Sequence, residues 1–304
     1  MNRESLLLKG IFPPIPTPFD AHGKVALSAL AANLAHWNQF GLRGYVVLGS
    51  NGEYVYLTER EKLQVLEAAR AAIPSNKLMI AGTGCEATKT TIELTRKAAD
   101  LGADAALVIT PAYYTGRMTQ EALIQHFAAV ADGSPIPILV YNMPANTGID
   151  LKAETVAAMA EHSNIIGIKE SGGSVVKMAA IRGLAGAGFQ VLAGSASFLL
   201  GGLSVGAVGG VNALANIAPQ QCLALRQHFL EGQWEAARDL QVRLIPANTA
   251  VTSGWGVPGL KAAMDMVGLY GGPVRAPLLP FEEGQKERLR GILVGSGVLT
   301  ARDV

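Results

Sequence analysis

The sequence predicts an α/β fold: a (β/α)8 TIM barrel followed by a C-terminal helical extension. Three observations predict it. Short apolar runs rich in β-branched residues alternate with amphipathic segments along most of the chain, the pattern of parallel strands joined by crossover helices. Eight such runs can be marked, the number that closes a barrel. After Pro219 the strand signals stop and only helical segments follow. A length of 304 residues accommodates a barrel of about 250 residues with a tail.

The expected strands occupy residues 10–16, 44–48, 77–81, 104–110, 136–142, 164–169, 190–194 and 207–211. Amphipathic segments at 28–40, 58–72, 87–101, 120–131 and 153–161 lie between them. The second of these opens with Thr58-Glu59-Arg60-Glu61, a capping box whose side chains satisfy free amides of the first turn. Leu63, Leu66 and Ala69 then share one helical stripe. Beyond Pro219, helices are expected at 220–230, 234–245, 257–267 and 281–294, broken by Gly254, Gly256, Gly271-Gly272-Pro273 and Pro280. The first of them completes the barrel, so the division is a catalytic barrel at 1–230 and a helical domain at 231–304. An open doubly wound sheet is the competing fold. Gly82-Thr83-Gly84-Cys85-Glu86-Ala87 matches the dinucleotide pattern G-x-G-x-x-A. It follows the third strand, however, and Asp104 opens the next strand instead of closing it, which suits a turn at a barrel rim.

Composition removes several classes of function. With 16% charged residues and a net charge of +1, no basic stripe is available for nucleic acid. Cys85 and Cys222 lie far apart and form neither a disulfide framework nor a metal pattern, as expected in a reducing compartment. The first ten residues hold only three consecutive leucines, too few for a signal-peptide core. Residues 183–225 carry no charge, yet the glycines, Ser195, Ser197, Asn212, Asn216 and Pro219 suit buried strands better than a membrane span. A soluble cytoplasmic protein without a membrane partner is expected. His22, His36, His126, His162 and His228 show no paired ligand spacing, so no metal is expected. No Walker loop is present.

The chemistry is concentrated at three strand ends, the face of a barrel where βα loops gather. Lys169 ends the run Asn164-Ile165-Ile166-Gly167-Ile168-Lys169. Apolar surroundings disfavour a charged amine and free it to attack a carbonyl as a Schiff-base nucleophile. A strand-end lysine reaching for solvent is the plain alternative. Tyr141, at the end of the fifth strand, would project into the same mouth, and a phenol beside an amine can relay protons. A core tyrosine with a satisfied hydroxyl is the commoner role of such a residue. Gly49-Ser50-Asn51-Gly52-Glu53, after the second strand, offers amides and a hydroxyl to an anion, though any tight turn would use the same residues.

These three segments resemble the dihydrodipicolinate synthase / N-acetylneuraminate lyase family of class I pyruvate aldolases, over nearly the whole chain from Gly10 to about Pro280. The resemblance implies a homotetramer that forms a lysine Schiff base with a pyruvate-type 2-oxo acid and needs no added cofactor. It makes Lys169 the Schiff-base lysine and Tyr141 the proton-relay tyrosine, with Ser50 and Asn51 in the carboxylate-binding loop. Tyr113 or Tyr114 corresponds to the tyrosine that completes the relay in a neighbouring subunit, and the longer spacing here does not choose between them. Ser171 and Gly194 would line the substrate pocket.

Two departures bear on the substrate. Family members that condense pyruvate with aspartate semialdehyde carry two threonines where this chain has Ser50-Asn51, and an arginine where it has Asn146. An asparagine amide cannot reproduce the bidentate grip of an arginine on a carboxylate. The motifs around Ser50, Asn146, Lys169 and Gly194 instead resemble the 4-hydroxy-2-oxoglutarate aldolase branch. Cleavage of that acid to pyruvate and glyoxylate is therefore expected. Dihydrodipicolinate synthesis and cleavage of a sugar-derived 2-oxo acid are the alternatives within the class. A non-catalytic binding paralogue is the alternative outside it.

Overall fold

The computed structural model describes residues 6–300; the start of the leucine-containing N-terminal segment and the outer limits of both expected domains lie outside the described residues. Eight parallel strands run β1 (Gly10–Phe12), β2 (Gly44–Val47), β3 (Leu78–Gly82), β4 (Ala105–Ile109), β5 (Ile138–Asn142), β6 (Ile165–Glu170), β7 (Gln190–Ala193) and β8 (Gly209–Val211). From β2 to β8 each strand pairs with its sequence neighbour, and β1 pairs with β8. The seam between β1 and β2 is closed by Val46 N–H donating to Pro13 O at 3.0 Å and Ile15 N–H donating to Val46 O at 2.9 Å. The ring is a TIM barrel. Its first strand is shorter than expected, because Pro13 and Pro14 have no N–H to extend a ladder.

Side chains alternate cleanly around the ring. Phe12, Val46, Ile80, Leu107, Leu139, Tyr141, Leu192 and Val211 pack inside it. Ile11, Val47, Met79, Val108, Val140 and Val191 face the surrounding helices. Strand β6 breaks the rule. Ile138 pairs with Ile165 but Leu139 pairs with Gly167, so Ile166 is an extra residue in a bulge. Ile166 points inward and Ile168 outward. The bulge resets the alternation, and Lys169 points inward beside Tyr141 instead of outward among the helices.

The helices are α1 (Leu27–Trp37), α2 (Glu59–Ala72), α3 (Thr88–Asp100), α4 (Gln120–Gly133), α5 (Pro144–Thr147), α6 (Ala153–Ala160), α7 (Val175–Leu184), α8 (Leu199–Ser204), α9 (Pro219–Leu230), α10 (Trp234–Thr249), α11 (Gly256–Met266) and α12 (Glu283–Gly295). The capping box of α2 forms as expected, with Thr58 N–H donating to Glu61 at 2.8 Å. The run from Gly82 to Ala87 is the third βα loop of the ring and not the first turn of an open sheet. Helix α10 extends past the expected end at 245 and passes through Pro246. Only the carbonyl of Val242, on the exposed side, loses its helical partner there, and water can replace it. Gln241 and Asn248 of α10 donate to Ala196 O and to the hydroxyls of Ser195 and Ser197, tying the helix to the end of β7. No helix among the described residues is long and apolar enough to cross a membrane, and the charge-free stretch forms β7, β8 and short helices.

Candidate active site

The register of β5 on β6 places Tyr141 directly opposite Lys169. Both are 4% exposed, and the Lys169 ammonium lies 3.8 Å from the centre of the Tyr141 ring. The Tyr141 hydroxyl is 3.2 Å from Ser50 Oγ. Lys169, Tyr141 and Ser50 therefore form one chain of polar groups across three strand ends. Burial alone would raise the Tyr141 phenol. The Lys169 charge, helped by the Ser50 hydroxyl, outweighs burial and holds the phenol below its ordinary value. Tyr54, nearby, moves the other way. Burial, reinforced by Tyr141, Cys85 and Glu86, pushes it up to about 12. Of the two phenols, Tyr141 is the one prepared to lose a proton.

Local folding explains these placements. Leu48, buried and left-handed at φ 61, turns the chain sharply off β2. Ser50–Gly52 then form a single 3₁₀ turn that presents the serine over the barrel. After β6, the buried Glu170 holds the next turn. It accepts from Gly172 N–H at 2.5 Å and from Asn142 Nδ2 at 2.8 Å, and pairs with Lys177 at 3.3 Å. Burial raises its carboxyl, while Lys177 and these hydrogen bonds offset part of the effect. The turn sets Ser171 against Gly194. A β-carbon on Gly194 would lie 1.9 Å from Ser171 Oγ and 2.8 Å from Glu170 O, so only glycine fits at the end of β7.

A cleft of about 720 Å³ opens over the mouth. Ser50, Tyr54, Thr110 and Asn146 line it, as do Val257 of α11 and Leu278. Lys169, buried beside Tyr141, is not among its lining residues. A smaller cavity of about 10 Å³, lined by Ser50, Tyr54 and Tyr141, leads down from the cleft. Three buried polar atoms in this region, Asn51 Nδ2, Thr110 Oγ1 and Ser171 Oγ, have no hydrogen-bond partner among the described residues. Such atoms carry a desolvation penalty that a bound carboxylate would relieve.

The expected site residues thus divide. Lys169, Tyr141, Ser50 and Ser171 come together, Gly194 backs them, and Asn51 lies beside Ser50 in the same turn. Asn146 stands exposed at the rim. Tyr113 and Tyr114, 80% and 70% exposed, stack on each other edge-to-face and do not line the cleft of their own chain. Their loop is held by Glu86, which accepts from the N–H groups of Ala112 and Tyr113 at 2.9 Å each. Thr110, Tyr54, Glu53 and Glu170 were not among the expected residues. Thr110 ends the marked strand 104–110 and Glu170 directly follows the marked strand 164–169, so their place at the strand ends was the available signal.

Among the described residues no group of three or more His, Cys, Asp or Glu is placed to hold a metal ion. The pattern G-x-S-x-G occurs at Gly202-Leu203-Ser204-Val205-Gly206, but Ser204 ends α8, is exposed, and donates to Gly201 O at 2.7 Å. A nucleophile elbow needs a strand-to-helix turn, and this serine is not on one.

Comparison with known proteins agrees with this geometry. The model of the Dihydrodipicolinate synthetase family matches residues 7–295. A Methanothrix thermoacetophila protein named 4-hydroxy-tetrahydrodipicolinate synthase is 38% identical over 295 residues, covering 97% of this chain and 99% of its own. One of the same name from Exiguobacterium is 36% identical and covers 93% and 96%. The solved 4-hydroxy-tetrahydrodipicolinate synthase of Methylacidiphilum fumariolicum is similar throughout, with a TM-score of 0.91, 32% identity and 98% of each chain covered.

Proposed function

The chain belongs to the dihydrodipicolinate synthetase family, and from that premise we propose that this lyase is a Schiff-base-forming class I aldolase cleaving 4-hydroxy-2-oxoglutarate to pyruvate and glyoxylate. The observation that carries the aldolase chemistry is the buried chain Lys169–Tyr141–Ser50. Lys169 Nζ attacks the C2 carbonyl, and loss of water gives a protonated imine that withdraws electrons from C3. Tyr141, relayed through Ser50, takes the proton of the C4 hydroxyl as the C3–C4 bond breaks. Glyoxylate leaves, the resulting enamine is protonated at C3, and water releases pyruvate from Lys169. No metal is required, because the imine supplies the electron-withdrawing element.

The choice of 4-hydroxy-2-oxoglutarate rests on the cleft. Its far carboxylate sits one bond from C4, where neutral donors can hold it. Asn51 Nδ2, Ser171 Oγ and Thr110 Oγ1 are buried donors without a partner, in the Ser50 turn, two residues after Lys169 and just after β4. An aspartate semialdehyde carboxylate lies farther out, where Asn146 stands in place of arginine. A second reading, condensation of pyruvate with aspartate semialdehyde, is favoured by the names of the relatives, and whole-chain similarity supports it better than the first. A substrate panel decides between them. Turnover of 4-hydroxy-2-oxoglutarate exceeding condensation is the expected result, and the reverse order establishes the second reading. Borohydride reduction with pyruvate should leave the adduct on Lys169.

The same proposal includes a homotetramer in the cytoplasm. The exposed Tyr113–Tyr114 pair supports it, as an aromatic face ready for a neighbouring subunit's cleft. Light scattering is expected to give the mass of four subunits, and a fully active monomer would refute the shared site.

A further inference from the structure

The loop carrying Ser50 is not held by the barrel alone. Within it, Gly52 N–H donates to Gly49 O at 2.9 Å and Glu53 N–H to Ser50 O at 3.1 Å. Thr17 Oγ1 ties down Gly52 O at 2.7 Å. Glu53 closes the turn in a left-handed conformation at φ 51, a strained state for a residue with a side chain. Its carboxylate is buried. One oxygen lies 2.6 Å from the ammonium of Lys261 on α11, and the other accepts from Arg275 N–H at 2.8 Å.

Lys261 is itself 1% exposed, donates to Pro273 O at 2.8 Å, and lies 4.4 Å from the ring centre of Phe19. The Arg275 guanidinium covers the same ring at 4.3 Å and grips both oxygens of Glu61, at 2.9 and 2.8 Å. Glu61 is the capping-box residue of α2. The Ser50 loop, α2, α11 and the segment around Arg275 thus share one network of charges, buried at Glu53 and Lys261 and partly exposed at Glu61 and Arg275. A buried ion pair seldom stabilises a fold more than apolar residues of the same volume, so stability does not account for it. Fixed geometry does. The Ser50–Tyr141 contact of 3.2 Å is already long for two hydroxyls, and a small shift of the turn would break it.

We propose that Glu53, held by Lys261, is a positioning residue that fixes the Ser50 hydroxyl against Tyr141, which makes helix α11 part of the catalytic apparatus. The inference rests on the aldolase reading above. Its test is a double-mutant cycle on the full-length protein. Glu53→Gln keeps the size of the side chain and removes the charge that Lys261 holds. It is expected to lower kcat by roughly 10- to 100-fold, as a displacement of about 1 Å does, with KM little changed. Combined with Ser50→Ala, it should cost nothing beyond Ser50→Ala alone, because both remove the same relay contact. Losses that multiply, or an unchanged kcat in Glu53→Gln, overturn the inference. If Glu53→Gln proves insoluble, Lys261→Arg takes its place in the cycle and is judged by the same two outcomes. Borohydride trapping of the unmodified protein with pyruvate separates the two levels. No adduct on Lys169 sinks the aldolase reading itself, whereas an adduct with multiplying losses sinks only the role of Glu53.

Discussion

Lys169 and Lys261 are both buried amines set over aromatic rings, 4% and 1% exposed, and their surroundings put them to opposite uses. Lys261 faces the carboxylate of Glu53 at 2.6 Å, with a carbonyl as its second partner. Burial lowers its pKa, and Glu53 offsets only part of that shift while fixing the position of the amine. Lys169 has a phenol instead of a carboxylate, and no ion pair to it forms among the described residues. A phenol has an ordinary pKa close to that of an amine and can exchange a proton with it, whereas the far more acidic carboxyl stays ionised beside an ammonium and pins its charge. Burial is common to both lysines, so what separates them is the nearest partner.

That contrast can be broken most sharply at Lys169. Lys169→Ala should abolish the pyruvate adduct and lower kcat/KM by at least roughly four orders of magnitude, as removal of a covalent nucleophile does. Lys261→Ala should leave the adduct intact, and mass spectrometry of the trapped proteins reads both. Tyr141→Phe comes next. It keeps the ring under the amine and removes the hydroxyl, so kcat should drop by about 10²- to 10⁴-fold while the adduct still forms. A Tyr141→Phe enzyme with undiminished turnover would leave the phenol a packing residue.

On the other side of the comparison the effect belongs to stability. Lys261→Met strands the Glu53 carboxylate in the interior and should cost about 3–5 kcal/mol in chemical denaturation. Adding Glu53→Gln should restore much of that loss, since a neutral pair needs no counter-charge. Recovery of stability without recovery of kcat is the expected outcome. Gly194→Ala follows. Its new methyl meets Ser171 and the Glu170 carbonyl, so about 1–3 kcal/mol of overpacking is expected, with a raised KM. The smallest effect is at Asn146. Asn146→Ala should cost no more than about 0.5–1.5 kcal/mol of substrate binding, while Asn146→Arg should shift preference toward aspartate semialdehyde. Preference unchanged in both makes Asn146 a turn residue.

Much of the fold was legible in the sequence, and so was the convergence of three polar residues at one mouth of the barrel. The strand ends carried Ser50, Tyr141 and Lys169, and the barrel's geometry makes strand ends converge. What the sequence hid was long-range or conformational. Glu53, Lys261 and Arg275 were visible inside recognisable motifs, but nothing local says that charges so far apart in the chain meet in one interior. Helices α7 and α8 escaped because Gly183, Gly201 and Gly202 dilute their helical pattern, and packing on β7 overrides that weak propensity. Proline at 246 marked an end to α10 that the exposed face of the helix did not need. Asn146 was identified, yet its sequence gave no sign that it stands at the rim and not on the floor of the cleft.

The bulge in β6 carries a consequence of another kind. Five residues of β6, Ile165–Lys169, run beside four of β5, Ile138–Tyr141, and that mismatch brings Lys169 round to the mouth. Direction in a strand is a parity, and the bulge changes it by one. Loss of one residue at 166–168 would match four to four and leave Lys169 facing inward in a regular strand. A substitution that keeps every residue but flattens the bulge would turn Lys169 out among the helices. Within β6, then, the orientation of the amine tolerates a deletion and depends on the local shape of the backbone for as long as the extra residue is present.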